Sequence, residues 1–462
     1  MIDIRFAALI LAAGRGTRMR SALPKVMHAL GGRPMIAHLR ATVQALAPAK
    51  TVVVVGPQME AVVEAAAPAI GILQQPPLGT GHAVQAAMPA LKGFDGDVLI
   101  LFGDTPLVGA ETLSAMLGKR RQGAAVVVLG FRPADPGEYG RLVVDAGGNL
   151  QRIVEHKDAS AEERRNGLCN SGCMAVAGKA LAELIWKLEN KNAKGEFYLT
   201  DIVALARANR LPCSYVEATE DELLGINSRA ELAAAETIVQ RGLRAAAMEA
   251  GATLLDPDST YFSFDTKLGR DVVVEPNVYF GPGVTVGDRV RIHAFSHFAG
   301  CRIADGAEIG PFARLRPGAD LGPDVHIGNF VEVKNATIEA GAKANHLSYL
   351  GDARVGAGTN VGAGTITCNY DGFGKYHTDI GAGAFIGSNT ALVAPVKVGD
   401  NAIIGAGSTI SRDVPDGALS VTRPEQETLE GGAERFRAKA RVRAAKAKQP
   451  AASKPAPARR KG

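Results

Sequence analysis

The chain has 462 residues, a length for two to four domains, with 52 Lys plus Arg against 47 Asp plus Glu. Eleven of those basic residues and no acid fall in 435–462, so removing them from the net +5 leaves a body at −6. A mildly acidic body, 5% aromatic residues and the single Trp186 argue against a groove built for nucleic acid.

Residues 1–229 alternate short apolar runs with Ala/Leu-rich stretches. Phe6–Ala12, Thr51–Val55, Val98–Phe102 and Ala125–Leu129 are continuously apolar, the pattern of buried parallel strands. Pro34–Leu46 and Glu111–Arg121 have helical periodicity. Together they predict an α/β layer fold with sites at the carboxyl ends of strands. Phe6–Ala13 also has the look of a signal-peptide core, but Asp3 before it and a glycine turn after it favour a short strand. The stretch from Ser228 to about Ala250 has no Pro and only Gly242, which predicts a linker helix over 230–250.

From Leu254 the period changes to six. Ile303, Ile309, Leu315, Leu321, Ile327 and Val333 follow it without a slip, as do Ile380, Ile386, Leu392, Val398, Ile404 and Ile410. Gly often follows the aliphatic residue, as at Gly310, Gly328, Gly381 and Gly399, and a small residue often stands two before it. This hexad predicts a parallel β-helix over 251–434, each aliphatic residue pointing into the bore. The repeat leaves the hand open, and the general crossover rule favours right-handed coils. Residues 365–377 break the hexad and predict an extruded loop, the kind of segment that carries function. The Ala-, Lys-, Arg- and Pro-rich end, 435–462, is expected to be a disordered, solvated basic tail.

Five scattered cysteines (Cys169, Cys173, Cys213, Cys301, Cys368) form no disulfide ladder and no paired metal spacing. No apolar run approaches the roughly 18 residues of a membrane span. The expectation is a soluble, cytoplasmic protein that uses neither membrane nor nucleic acid.

Two stretches carry chemistry. Leu11-Ala12-Ala13-Gly14-Arg15-Gly16-Thr17-Arg18-Met19, then Pro24-Lys25, begins at the end of the first strand. Its glycines let the backbone bend around phosphate oxygens, while Arg15, Arg18 and Lys25 supply positive charge. Met19 stands where a dinucleotide fingerprint needs glycine, and no GxxxxGK exists. GxGTRM with PK following resembles the signature of sugar-nucleotide pyrophosphorylases. Gln74 to Ala83, Phe102-Gly103-Asp104, Tyr139-Gly140-Arg141, Glu155, Asn170 and Asn227 follow in the same order. Together they resemble the uridylyltransferase half of the bifunctional bacterial enzymes that make UDP-N-acetylglucosamine.

The resemblance implies that Leu11, Ala12, Ala13, Gly14 and Lys25 hold the triphosphate of UTP, and that Gln74, Gly79 and Thr80 hold the uridine. It also implies one or two Mg²⁺ ions on Asp104 and Asn227, with Gly140, Glu155, Asn170 and Asn227 on the sugar. Pro77 departs from the family, which more often has Gln beside the uracil.

In the second half, Arg316, Glu332 and Lys334 precede His346, Tyr349 and Asn360, and the loop carries Asn369, Tyr370 and Lys375. A lone His on a coil is usually structural. Here it shares a short stretch with Tyr349, Asn360 and an extruded loop, which favours catalysis. The run from Arg316 to Tyr370 is similar to the acetyltransferase half of the same family. The implied roles are His346 as proton acceptor with Glu332 orienting it, and Arg316, Lys334, Tyr349 and Asn360 on glucosamine 1-phosphate. Ala363, Asn369, Tyr370, Lys375, Ser388, Ala406 and Arg423 would meet acetyl-CoA. A left-handed β-helix and a homotrimer with its site between subunits come with the same resemblance. The rivals are a nucleotidyltransferase whose β-helix only oligomerises, against which His346 and its loop speak, and a scaffold with dead sites, against which Lys25, Asp104 and Asn227 speak.

Overall fold

Side chains alternate across a strand, so a strand apolar at every position needs a core on both sides. Phe6–Leu11 meets that demand in a computed structural model that describes residues 5–192 and 194–447. Ala7, Leu9 and Leu11 enter one core while Phe6, Ala8 and Ile10 enter the other. The strand lies between Lys50–Val55 and Asp97–Phe102, parallel to both, with Leu11 level with Val54 and Phe102. The main sheet runs, strand by strand, 213–218, 126–131, 169–177, 97–102, 6–11, 50–55 and 70–73. Cys169–Ala177 is antiparallel to both neighbours. Helices Met35–Ala45 and Ala110–Arg121 supply Ile36, Leu39, Leu113 and Met116 to one core, and Thr80–Ala87 supplies Val84 to the other. The loops after Leu11, Val55 and Phe102 therefore leave the same edge of the sheet.

The helix Arg229–Glu249 starts on a capping box, Ser228 accepting from the Glu231 amide and Glu231 answering at Ser228. Its far end joins the two halves. Leu243 and Ala247 pack on the β-helix core. The buried Gln240 side chain donates to Phe262 O at 2.7 Å and accepts from the Phe262 amide at 2.8 Å. The Phe264 amide reaches Gly31 O at 2.8 Å, so a turn of the first domain is tied in as well.

Beyond this joint, short parallel strands stack once per coil. Ile292, Ile309, Ile327, Ala344, Val361, Ile386 and Ile404 form one continuous column along a ten-stranded wall. A 14-stranded sheet makes the other two walls, which meet where Glu332–Ile338 and Tyr349–Val355 cross between them. All twelve hexad aliphatics are at most 3% exposed. On most coils, contacting residues of successive turns lie 17 or 18 apart in sequence, as in Asn329–His346 and Arg314–Glu332; the step widens to 25 across the loop, as in Asn360–Phe385.

The hexad glycines follow from coil spacing. Neighbouring strands sit about 4.8 Å apart, and at the turns the next coil's aspartate reaches across that gap. Asp400 Oδ1 accepts from the Ala382 amide at 2.7 Å, and Asp416 Oδ1 from the Asp400 amide at 2.9 Å. A Cβ at Gly381 or Gly399 would collide with those same carboxylates.

The basic end departs from expectation. Gly432–Ala447 is a solvent-exposed helix rather than irregular chain, and the remainder of the expected tail lies outside the described residues. Sparse apolar content forbids a packed core but not a helix. Ala, Arg and Lys are strong helix formers, and no Pro occurs between Pro424 and Pro450. The five cysteines are free. Among the described residues no helix is long and apolar enough to cross a membrane.

Two glycines separate packing from propensity. Gly399→Ala is expected to lower the thermal midpoint, overpacking the turn at a cost of about 1–3 kcal/mol. Gly242, within the linker helix and with nothing within 4 Å of an added Cβ, is expected to stabilise by about 0.5–1 kcal/mol as Gly242→Ala. Thermal or denaturant melts of the two variants check both signs.

Candidate active sites

The first site is built at the strand edge from three distant segments. Gly16 adopts a left-handed φ of 64°, and an added Cβ would sit 2.5 Å from Lys25 Cβ, so the glycine turn is what admits Lys25. Lys25 is buried, and its Nζ donates to Asp104 Oδ2 at 2.6 Å and to Asn227 Oδ1 at 2.9 Å. Asp104 follows the Asp97–Phe102 strand, where the Gly103 amide donates to Leu11 O at 2.9 Å. The Ile226 amide donates to Asp104 O at 2.8 Å, and Glu231 accepts from the Asn227 amide at 2.7 Å. The capping box of the linker helix thus also fixes Asn227. Gly14 has no protein atom within 4 Å of an added Cβ, so its bare backbone faces open space.

The turn 74–83 forms the opposite wall. Buried Gln74 donates to Gly79 O at 2.9 Å, and Gly79 has a left-handed φ of 103° against the Phe197 carbonyl. The Gly81 amide donates to Phe197 O at 2.8 Å, while Thr80 Oγ1 accepts from the Leu199 amide at 3.1 Å. One cavity gathers Leu11 to Gly14, Lys25, Gln74, Gly79, Thr80 and Asp104, with Pro77 on its lining. A second cleft adjoins it through Thr80, Phe102 and Glu196 and holds Glu155 with Lys157, Lys191 and Lys194. Gly140 accepts from the Asn170 amide at 2.8 Å, and Asn170 Oδ1 accepts from the amide of Gly172, which lines this cleft.

Arg15 and Arg18 are exposed and line neither cavity. Phe102, Glu196 and the three lysines had no sequence signal beyond proximity to expected positions. Asp104 and Asn227 offer hard oxygens that converge on one cationic centre, now the Lys25 ammonium, which suits a divalent ion completed by water and phosphate. Among the described residues no three His, Cys, Asp or Glu group to hold a metal unaided.

The second site lies on the coils. His346 is exposed at the end of Lys343–His346, in register with Asn329 one coil back. Its Nδ1 lies 2.8 Å from Asn329 Oδ1. An amide oxygen only accepts, so the contact puts a proton on Nδ1 and leaves Nε2 as the nitrogen that the neutral ring offers as acceptor. Glu332, expected to orient the imidazole, does not do so. It is in register with Tyr349, and its carboxylate takes Arg316 at 2.7 Å and Arg314 at 3.4 Å. The coil step places residue 329, not 332, beside 346.

The extruded loop returns Lys375 to Lys334. The Lys375 ammonium, within hydrogen-bonding reach, lowers the Lys334 pKa from its ordinary value, and Arg316 adds to the effect. Burial pushes Asp352 up, but hydrogen bonds from Asn335 and Asn369 and the charges of Lys375 and Lys334 outweigh it and hold the carboxyl low. Asn369 also points at Tyr349, Nδ2 to hydroxyl 3.5 Å. Tyr370 and Phe373 are exposed on the loop. Asn360 lies on the following coil opposite Lys343. Ala363, Ser388 and Ala406 share one corner of three successive coils, bridged by Asn389 amide to Ala363 O and Gly407 amide to Ser388 O. Arg423 closes the column by donating to Ala406 O at 2.7 Å.

Comparison with known proteins agrees with both halves. Residues 8–185 match the MobA-like NTP transferase domain family, and 265–300, 300–335 and 377–412 match the bacterial transferase hexapeptide (six repeats). That repeat goes with the left-handed form of the parallel β-helix, as the resemblance implied. The chain is 62% identical over 448 residues to the bifunctional protein GlmU of Paramagnetospirillum magneticum, covering 96% of this chain and 100% of that one. It is 61% identical to the protein of that name from Rhodospirillum rubrum, over 94% of this chain and 97% of the relative. For the Sphingopyxis alaskensis protein the figures are 56%, 93% and 96%. A nucleotidyltransferase half and an acyltransferase-type hexapeptide half in one chain make a two-activity enzyme, and the chain belongs to the GlmU family of bifunctional proteins.

Proposed function

We propose that the C-terminal half acetylates glucosamine 1-phosphate with acetyl-CoA, and that the N-terminal half transfers UMP from UTP to the product, releasing pyrophosphate. The observation that carries this reading is the pairing, in one chain, of a lysine-and-carboxylate cleft with a coil-borne histidine whose Nε2 is free.

In the first step the glucosamine amine attacks the thioester carbonyl. The C–N bond forms as His346 Nε2 accepts the amine proton, and the C–S bond then breaks as the imidazolium returns that proton to sulfur, so that CoA leaves as the thiol. Arg316 and Lys334 hold the sugar phosphate, joined by Lys375, which was expected on acetyl-CoA but which the loop brings to Lys334, with Glu332 fixing Arg316 and Tyr349 and Asn360 on the ring. The small-residue corner at Ala363, Ser388 and Ala406, with Arg423 and the loop residues Asn369 and Tyr370, receives acetyl-CoA.

In the second step a phosphate oxygen of N-acetylglucosamine 1-phosphate bonds to the α-phosphorus of UTP, and the bond to the β-phosphate oxygen breaks. No covalent enzyme intermediate is needed; positioning and charge neutralisation suffice. Gly14 leaves room for the phosphates, Lys25 neutralises them, and Gln74, Gly79 and Thr80 seat the uridine. Glu155 faces the sugar from the adjoining cleft, with Asn170 and Gly140 behind its wall. Asp104 and Asn227 would hold Mg²⁺, which supplies further neutralisation of the triphosphate.

A homotrimer fits the exposed aromatic ladder on one corner of the β-helix, where Phe295 stacks on Phe312 at 4.9 Å and Phe312 on Phe330 at 5.1 Å. The setting is the bacterial cytoplasm, and the product is a precursor of the cell envelope, in peptidoglycan and lipopolysaccharide synthesis.

His346→Ala is expected to cut acetyl transfer by about 10²–10⁴ and to leave pyrophosphate release from UTP and N-acetylglucosamine 1-phosphate unchanged. Asp104→Ala should do the reverse. Thiol release followed by pyrophosphate release in a two-stage assay reads both, and loss of both activities in either variant would overturn the division of labour. Asn329→Leu is expected to lower kcat for acetyl transfer at least tenfold, whereas Glu332→Gln, which frees Arg316, should act mainly on KM for the sugar phosphate. Steady-state kinetics separate the two.

A further inference from the structure

Lys25 occupies the point on which the two candidate metal oxygens converge. Its ammonium is 2.6 Å from Asp104 Oδ2 and 2.9 Å from Asn227 Oδ1, and the three groups are mostly shielded from water. The lysine stem has little freedom, because Gly16 packs on its Cβ and the His28 amide closes a tight turn on Lys25 O at 3.2 Å. A divalent ion bonded to the same carboxylate and amide oxygens at about 2.1 Å would compete with the ammonium that they now hold, two like charges drawing on one pair of oxygens.

Displacing the ammonium with metal alone would break a largely buried ion pair and leave Lys25 charged without a partner, the costly way to break such a pair. A triphosphate changes the balance. Its oxygens, laid against Gly14, offer the ammonium a new anionic partner within the same cavity, which Lys25 and Asp104 both line. Asp104 and Asn227 are then released together.

We infer that Lys25 serves as a built-in counter-cation that reserves the metal position until a nucleoside triphosphate arrives, so that metal and triphosphate bind with positive coupling. By linkage the coupling is reciprocal: whatever factor the triphosphate adds to metal affinity, the metal adds to triphosphate affinity. Removing the ammonium should raise affinity for metal alone and shrink the coupling. The inference rests on the reading of Asp104 and Asn227 as metal ligands.

The test is Mn²⁺ binding to the full-length chain, followed by the electron paramagnetic resonance of free Mn²⁺, with and without α,β-methylene-UTP, which cannot be turned over, the Mn²⁺ that the analogue chelates without protein being measured and subtracted. For the unaltered chain the analogue is expected to tighten Mn²⁺ at least tenfold. Lys25→Met and Lys25→Gln, with folding checked by thermal melting, are expected to bind Mn²⁺ alone at least tenfold tighter than the unaltered chain. Both should respond less to the analogue. Equal Mn²⁺ affinity with and without the analogue in the unaltered chain would overturn the inference, as would lysine variants that bind Mn²⁺ alone no better. Asp104→Asn separates the two levels. If it leaves the analogue-dependent Mn²⁺ binding intact, the assignment of the metal ligands fails, and the inference with it.

Discussion

Parallel strands cannot be joined by tight turns, and both halves of this protein are organised around that constraint. Each strand must be followed by a crossover long enough to return the chain to the same end. In the first half the crossovers are mostly helices, packed on the two faces of the sheet, and the loops that leave the strands collect at one edge. Gly14, Asp104 and the turn after Gln74 meet there because Leu11 ends level with Phe102, and Leu73, paired with Val55, ends at the same edge. In the second half each strand's crossover is the rest of its own coil. Away from the first and last coils and the inserted loop the return distance is 17 or 18 residues, and that step decides which side chains become neighbours.

How far the sequence could be read follows from the same distinction. Local periodicity was enough for the buried strands, the linker helix and the hexad wall, since each depends on residues within a few positions of one another. Glu332 shows where it stopped. It is a charged residue near His346 in sequence, and chemistry alone makes it an attractive partner, but the register gives it Arg316 and leaves Asn329 for the imidazole. Counting one coil back from 346 would have found Asn329. No comparable count brings Lys25 to Asp104 and Asn227, 79 and 202 residues away, because packed helices rather than a fixed repeat set that distance. The helix at Gly432–Ala447 is hidden for another reason: its composition rules out a packed core but leaves helix propensity intact.

The two sites treat charge differently while waiting for substrate. Lys25 has carboxylate and amide partners, so its charge is compensated inside the protein. Lys334 and Lys375 instead face each other and Arg316, with Asp352 as a nearby acid, and the lowered pKa of Lys334 records the repulsion. Such a cluster is held by the loop and the wall rather than by mutual attraction. Functional sites commonly carry local destabilisation of this kind, offset by the surrounding fold.

The insertion is shorter than the expected 365–377: Ile366–Cys368 is a wall strand beside Ala391–Val393, with Thr365 and Thr367 buried, so only 369–377 is extruded, and it leaves the β-helix undisturbed. Asn360 still pairs with Phe385, and Thr378–Ile380 resumes its place beside Ala353–Val355 as though the extra residues were absent. Closing a longer loop costs only logarithmically more with length, so the wall tolerates replacement of this segment. A lineage carrying such a coil can therefore alter what its loop recognises, residue by residue or by wholesale exchange, without first losing the frame that presents it.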